Sequence, residues 1–335
     1  MPAMTEGQPA PGKFVKQVAP EYKDTQVYHA LYLPADWVEG KSYPVIVEYA
    51  GNQYPPICTG KVEDCKLGYY QSGGKGFIWV VLPYVSDDNK RNQPSWWGDL
   101  EATVAYCKTN VPRISRRYGG DTTSVFLTGF SRGAIACGYV GLHDDEIADL
   151  WLAFLPHSHH DGGSYTADGA RERLARIKGR ASFLTWGGND GGREGSLIGK
   201  GILEGLKFPV TALEIPSIGH TDLWIVQDSP QRQALRKWMA EVIRTKPGAH
   251  AIAGKVVDSS GKGIGGVSIQ SGIGHRTQTD EQGQYTLRGL VDGKRTVTAA
   301  KSGMTFGPGQ AEVTLAGKDL ADVTFTGAKS KPSAR

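Results

Sequence analysis

No stretch of this sequence approaches the ~18 consecutive apolar residues of a membrane-spanning helix. The N-terminal text, MPAMTEGQPAPGKFVK, lacks the apolar core of a signal peptide. No dense Lys/Arg block occurs. The net charge is +4 and the pI about 8.7, a mild excess that gives little support to nucleic-acid binding. Cysteine is sparse, at four residues, and no second Cys/His pair with zinc spacing accompanies them. Cys58 and Cys65 share a polar loop, PPICTGKVEDCKLGYY, where a small loop-closing disulfide is expected. Cys107 and Cys137 fall inside predicted helices and read as buried thiols, with a bridge between adjacent helices left open.

Glycine is abundant instead, at 45 of 335 residues, which favours tight turns. The length allows one large core and a smaller one. From about residue 14 to 245, strand and helix patterns alternate. Residues 27–33 alternate apolar and polar side chains. The runs PVIVEYA (44–50), FIWVVLP (77–83), SVFLTGF (124–130), LWLAFLP (150–156), ASFLTW (181–186) and PVTALEI (209–215) suit strands buried on both faces. Helical spacing covers 99–118, 166–178 and 229–245. Asp99 serves as an N-cap, and Pro112 is expected to kink or divide the first of these helices. The alternation predicts an α/β fold, a doubly wound and mostly parallel sheet. After KPGAH, short alternating strands and Gly-rich turns run from 252 to 326, the pattern of a small all-β sandwich. The expected division is 1–247, 251–326 and a disordered tail over 327–335.

The chemistry centres on Gly129-Phe130-Ser131-Arg132-Gly133, a G-x-S-x-G motif between a strand-like run and a helix-like one. That context turns a weak motif into a candidate nucleophile on a sharp strand-to-helix turn. A serine hydroxyl needs a base. His220, in PSIGHTD after the last apolar run, supplies it, and Asp190, in GGNDGG, is the acid that orients the imidazole. Taken alone, Asp190 reads as a turn residue and His220 as loop or cap. Their order after Ser131 is what favours function. Asp161 and Asp222 are rivals for the acid. The N–H groups of Arg132 and Asn52 are the expected oxyanion donors. Tyr54, Trp96, Trp97 and Trp186 are candidate substrate-binding aromatics, with Trp97 equally readable as core. His157, His159 and His160 lie on one loop, where convergence on a metal is not expected. His159 reads instead as a hydrogen-bonding pocket rim.

The elbow GFSRGA, the loop GGND and the loop IGH resemble the α/β-hydrolase superfamily over the first 245 residues. Within it the chain resembles secreted bacterial esterases related to feruloyl esterases, acetylxylan esterases and polyhydroxybutyrate depolymerases. The resemblance implies a carboxylic ester substrate and no cofactor. The candidate aromatics and an accessory module make a polymer-linked plant-cell-wall ester the expected substrate, and an aromatic polyester shares the same chemistry. The chain departs from common forms at Tyr49-Ala50-Gly51-Asn52, where many carry a His-Gly pair, and in the Arg after the nucleophile. The text GKVVDSSGKGIGGVSIQ and TDEQGQYTLRGLVDGKRTVTAAKSG resembles carboxypeptidase-regulatory-like β-sandwich domains. Such domains are accessory and common on exported proteins, so export is expected, with the signal absent from this sequence, and glycan contact is open. A serine peptidase of the same fold and a non-catalytic extracellular binding protein are the alternative readings.

Overall fold

Every apolar run of the first part forms a strand in the computed structural model, which describes residues 1–248 and 250–330. Two short strands precede them, β1 (Met4–Thr5) and β2 (Phe14–Gln17). Then follow β3 (His29–Tyr32), β4 (Tyr43–Tyr49), β5 (Ile78–Leu82), β6 (Gly120–Phe130), β7 (Ala153–His157), β8 (Ala181–Gly187) and β9 (Val210–Ile215). They make one sheet in the order β1-β2-β3-β5-β4-β6-β7-β8-β9. From β5 to β9 every pairing is parallel, and β3 is antiparallel to both β2 and β5. This is the mostly parallel sheet expected of the α/β fold.

Alternation of side chains places helices on both faces. Glu48 and Thr128 are register partners on β4 and β6. Both face α1 (Leu67–Ser72), where Gln71 donates to Thr128 Oγ1 at 2.9 Å. Tyr49, one residue on, faces the other way. It lies near Cys107 on α2 (Leu100–Tyr118) and Cys137 on α3 (Arg132–Tyr139). The remaining helices are α4 (Asp145–Ala148), α5 (Ala170–Ala175), α6 (Arg193–Gly205) and α7 (Pro230–Thr245).

Asp99 caps α2 by accepting from the Ala102 N–H at 2.9 Å. The helix is not divided at Pro112 but continues through it as one element of 19 residues. α5 is shorter than the expected 166–178. Arg173 binds the carbonyls of Thr166 and Asp168, which a longer helix would have used. No Cys58–Cys65 disulfide forms: all four cysteines are free. Cys58 packs against Gly51, whereas the Cys65 thiol points to the Lys61 carbonyl at 3.6 Å. Among the described residues no helix is long and apolar enough to cross a membrane.

Contacts divide the chain into two units, Met1–Thr245 and Lys246–Arg335. The second holds β10 (His250–Val257), β11 (Ser268–Ser271), β12 (His275–Gln278), β13 (Gln284–Leu290), β14 (Gly293–Ala300), β15 (Met304–Gly307), β16 (Gln310–Leu315) and β17 (Leu320–Lys329). Sheets β13-β10-β17-β15 and β12-β11-β14-β16 enclose a core that includes Ile252, Val267, Leu287, Val297 and Phe325. The expected tail starts too early. Residues 327–329 belong to β17 because they pair with β15, and the Ser330 N–H donates to Gly303 O at 2.9 Å. Residues 331–335 lie outside the described residues.

Glu48 is 2% exposed beneath α1. It accepts from the N–H groups of Leu67 (3.2 Å) and Gly68 (2.9 Å) and from the Trp79 indole (2.9 Å). Burial pushes its carboxyl up to about 7 against the pull of the two backbone donors. Glu48→Gln keeps the shape but turns an acceptor oxygen toward N–H donors as an amide nitrogen. The expected loss in urea unfolding at pH ~8 is ~1–3 kcal/mol. An unchanged midpoint would refute this role.

Candidate active site

β6 ends at Phe130 and α3 begins at Arg132, so the whole turn rests on Ser131, at φ 56° and ψ −118°. Side chains rarely adopt this backbone. The flanking glycines explain how it persists. A Cβ on Gly129 would lie 2.3 Å from the Gly133 backbone, and one on Gly133 would lie 2.1 Å from Tyr49 O. Strand and helix thus approach too closely for any other residue. The Ser131 N–H donates to His157 O at 2.9 Å, fixing the turn to β7.

Ser131 Oγ lies 2.9 Å from His220 Nε2, and His220 Nδ1 lies 2.8 Å from Asp190 Oδ1. The three follow the ends of β6, β8 and β9. A carboxylate only accepts, so Nδ1 carries the proton and Nε2 is free to accept from Ser131. Asp190 also accepts from the Gly192 N–H at 2.7 Å and from Ser158 Oγ. Burial pushes the Asp190 carboxyl up, but bonds from His220, Ser158 and Gly192 outweigh it and hold it below its ordinary value of 3.8. The rival acids are engaged elsewhere. Asp161, fully buried, forms a two-pronged pair with Arg173 at 2.8 and 2.9 Å. Asp222 pairs with Lys66 at 2.9 Å.

A cavity of about 230 Å³ opens at Ser131 and His220. Asn52, Tyr54, Trp96, Arg132 and His159 line it, and so do Ile57, Cys58, Phe130, Ile135 and Tyr165. Trp96 and Tyr165 rings sit 4.9 Å apart. Among the described residues neither the Arg132 nor the Asn52 N–H has a hydrogen-bond partner. Two expected aromatics are not in the lining. Trp97 packs on Tyr139 at 4.5 Å between ring centres. Trp186 is buried on β8, its indole donating at 3.0 Å to Glu214 of the neighbouring strand. Closeness to Asp190 in sequence did not bring it to the cavity.

The histidine loop diverges rather than converges. His157 Nδ1 meets Thr185 Oγ1 at 2.8 Å, His160 Nδ1 meets Asp161 O at 3.3 Å, and the His159 ring stands 5.6 Å from that of His220. No group of three His, Cys, Asp or Glu among the described residues is arranged to hold a metal ion. Ser158 and Tyr165 went unrecognised in the sequence. Ser158, at φ 63°, is aimed at Asp190 by the tip of β7, which no local pattern announces.

No curated protein matches the sequence. Residues 251–327 match the carboxypeptidase regulatory-like domain. That regulatory-like unit is the sandwich expected from 251. Among solved structures, the chain is similar to an acetyl ester-xyloside bifunctional hydrolase from Caldicellulosiruptor lactoaceticus (16% identity, 71% of this chain and 98% of that one, TM-score 0.49). It is also similar to a ferulic acid esterase (16%, 69% and 98%, TM-score 0.47). A third is a mutant feruloyl esterase module from Clostridium thermocellum complexed with sinapinate (14%, 70% and 89%, TM-score 0.46). Likeness at this level leaves the chemistry to the geometry of the site.

Such an arrangement can draw the proton from a serine hydroxyl, in a cavity that Arg132 and Asn52 also line. Asp190→Asn is expected to slow fluorophosphonate labelling of Ser131 by about 10²–10⁴-fold. Asp161→Asn should leave that rate within about threefold while lowering stability by ~3 kcal/mol, as the Arg173 charge loses its partner. Reversed effects would move the acid to Asp161.

Proposed function

We propose that the protein is a serine carboxylic ester hydrolase, with feruloyl or acetyl esters of plant-cell-wall polymers as its substrates. The observation that carries this reading is the unbroken line Asp190–His220–Ser131 at the mouth of the aromatic cavity. In the proposed cycle Ser131 Oγ attacks the ester carbonyl while His220 Nε2 takes its proton. The oxyanion rests on the N–H groups of Arg132 and Asn52. His220 protonates the departing alcohol, then activates the water that cleaves the acyl-enzyme. Asp190 stabilises the imidazolium in both halves.

Trp96, Tyr165 and Tyr54 support an aromatic acyl group as the preferred occupant. The regulatory-like unit supports action outside the cell on a polymer. An open cleft there of about 600 Å³, lined in part by Arg276, Lys301 and Phe306, is our candidate for glycan contact.

A panel of para-nitrophenyl and methyl esters, acetyl against feruloyl, tests the reading. Ser131→Ala is expected to abolish turnover throughout. Equal rates for wild type and variant would sink the assignment, and turnover of peptide amides alone would replace it with a peptidase. Trp96 sits at φ 54°, a conformation that asparagine accepts. Trp96→Asn should therefore fold and raise KM for feruloyl esters about tenfold, with acetyl esters little changed. Equal shifts for both would remove Trp96 from acyl recognition.

A further inference from the structure

The Arg132 side chain is 2% exposed, although it follows the nucleophile directly. One terminal nitrogen donates to Gly51 O at 2.8 Å and the other to Trp96 O. The guanidinium lies 4.0 Å from the centre of the Tyr84 ring, whose hydroxyl donates to Ala50 O at 3.0 Å. From the opposite side, Asn52 Oδ1 accepts from the Trp96 N–H at 2.7 Å, and the Gln53 N–H donates to Pro94 O at 2.9 Å. Both peptide groups of Trp96 are therefore held, the N–H by Asn52 and the C=O by Arg132. Trp96 has a positive φ, which needs such external restraint.

Among the described residues no carboxylate pairs with Arg132: its hydrogen-bond partners are two backbone carbonyls, and the neighbouring Tyr84, Cys58 and Cys65 side chains are neutral, burial raising each of them. An ion pair is thus not what holds it. Its planar fork instead reaches two carbonyls on separate loops from two separate nitrogens, a fixed span that the single nitrogen of a lysine does not reproduce.

We infer that the Arg132 side chain is a positioning residue. It fastens the loop carrying the Asn52 donor and the loop carrying Trp96 to the first turn of α3, so that the oxyanion hole has one fixed geometry. The inference rests on the ester-hydrolase reading above. It concerns the side chain alone, because the Arg132 N–H survives any substitution there.

The test uses the full chain with para-nitrophenyl acetate and butyrate, with Ser131→Ala as control. Arg132→Met is expected to lower kcat about 10²-fold with KM changed less than about threefold, as a misplaced donor fails only the transition state. Arg132→Lys, which keeps the charge and loses the fork, should fall with it. Asn52→Ala removes the other half of the joint. The double variant should then lose little more than Arg132→Met alone. Full rescue by Arg132→Lys would assign the residue to charge rather than position and overturn the inference. So would additive losses, or a loss confined to KM. Should Arg132→Met not fold, Arg132→Lys and Asn52→Ala, alone and combined, carry the same comparison. A wild type without turnover that Ser131→Ala removes would sink the ester reading itself. Loss of activity in Ser131→Ala with full activity in Arg132→Met and Arg132→Lys would overturn only the inference.

Discussion

The close approach of Gly133 to the Tyr49 carbonyl is the constraint on which the site depends. With 2.1 Å between that oxygen and any added Cβ, β4, β6 and α3 meet at one point. The meeting forces Ser131 to a positive φ and carries its hydroxyl out over the ends of the parallel strands. Near the same crossing the Arg132 side chain donates to Gly51 O at 2.8 Å, and Arg132 and Asn52 line the cavity with Ser131. His220 and Asp190 then need only short loops after β9 and β8 to line up with the hydroxyl. A sheet of this order brings Ser131, His220 and Asp190 to one edge because the strands they follow all point the same way.

Electrostatics divides the buried charges into two kinds. Asp190 is held ionised by three donors that converge on it, and it is linked to the Ser131 hydroxyl through His220. Glu48 and Arg132 are held beneath the site by backbone groups and aromatic rings, and each joins segments distant in sequence. The buried thiols contribute packing alone. Burial pushes Cys107 up to about 12 and raises Cys65 and Cys137 well above their usual range, so these sulfurs are poor nucleophiles.

The parallel strands were legible because full burial leaves continuous apolar runs, and the closeness of Ser131, His220 and Asp190 because the elbow suggests an order for its partners. Features set by three-dimensional closeness were hidden. α6 carries glycines that obscure a helical pattern. They are there because the helix lies on the histidine loop: a Cβ on Gly195 would meet His159 at 2.7 Å and one on Gly199 would meet His160 at 2.5 Å. Trp186 misled because strand alternation, not distance from Asp190, decides which face a side chain takes. Cys58 and Cys65 misled because loop proximity says nothing of where two sulfurs point. β1 and β2 are too short and mixed to read as strands until β3 supplies a partner for β2, and β2 one for β1.

Two departures from the common esterase pattern, the Tyr49-Ala50-Gly51-Asn52 segment and the Arg after the nucleophile, meet in one place. A small residue at 132 would leave the Gly51 and Trp96 carbonyls without their donor, at ~1–3 kcal/mol for each one that stays buried. A loop without Asn52 would in turn free the Trp96 N–H and the positive φ that depends on it. The unusual loop and the unusual arginine are thus two halves of one structure, each unfavourable without the other. The residue after Ser131 accordingly has two separable functions in this reading. Its backbone serves the oxyanion, while its side chain sets the distance between the oxyanion donor and the aromatic wall. Because a single fork fixes both loops, the position of the acyl group and the position of the developing negative charge are coupled through Arg132 rather than adjusted independently.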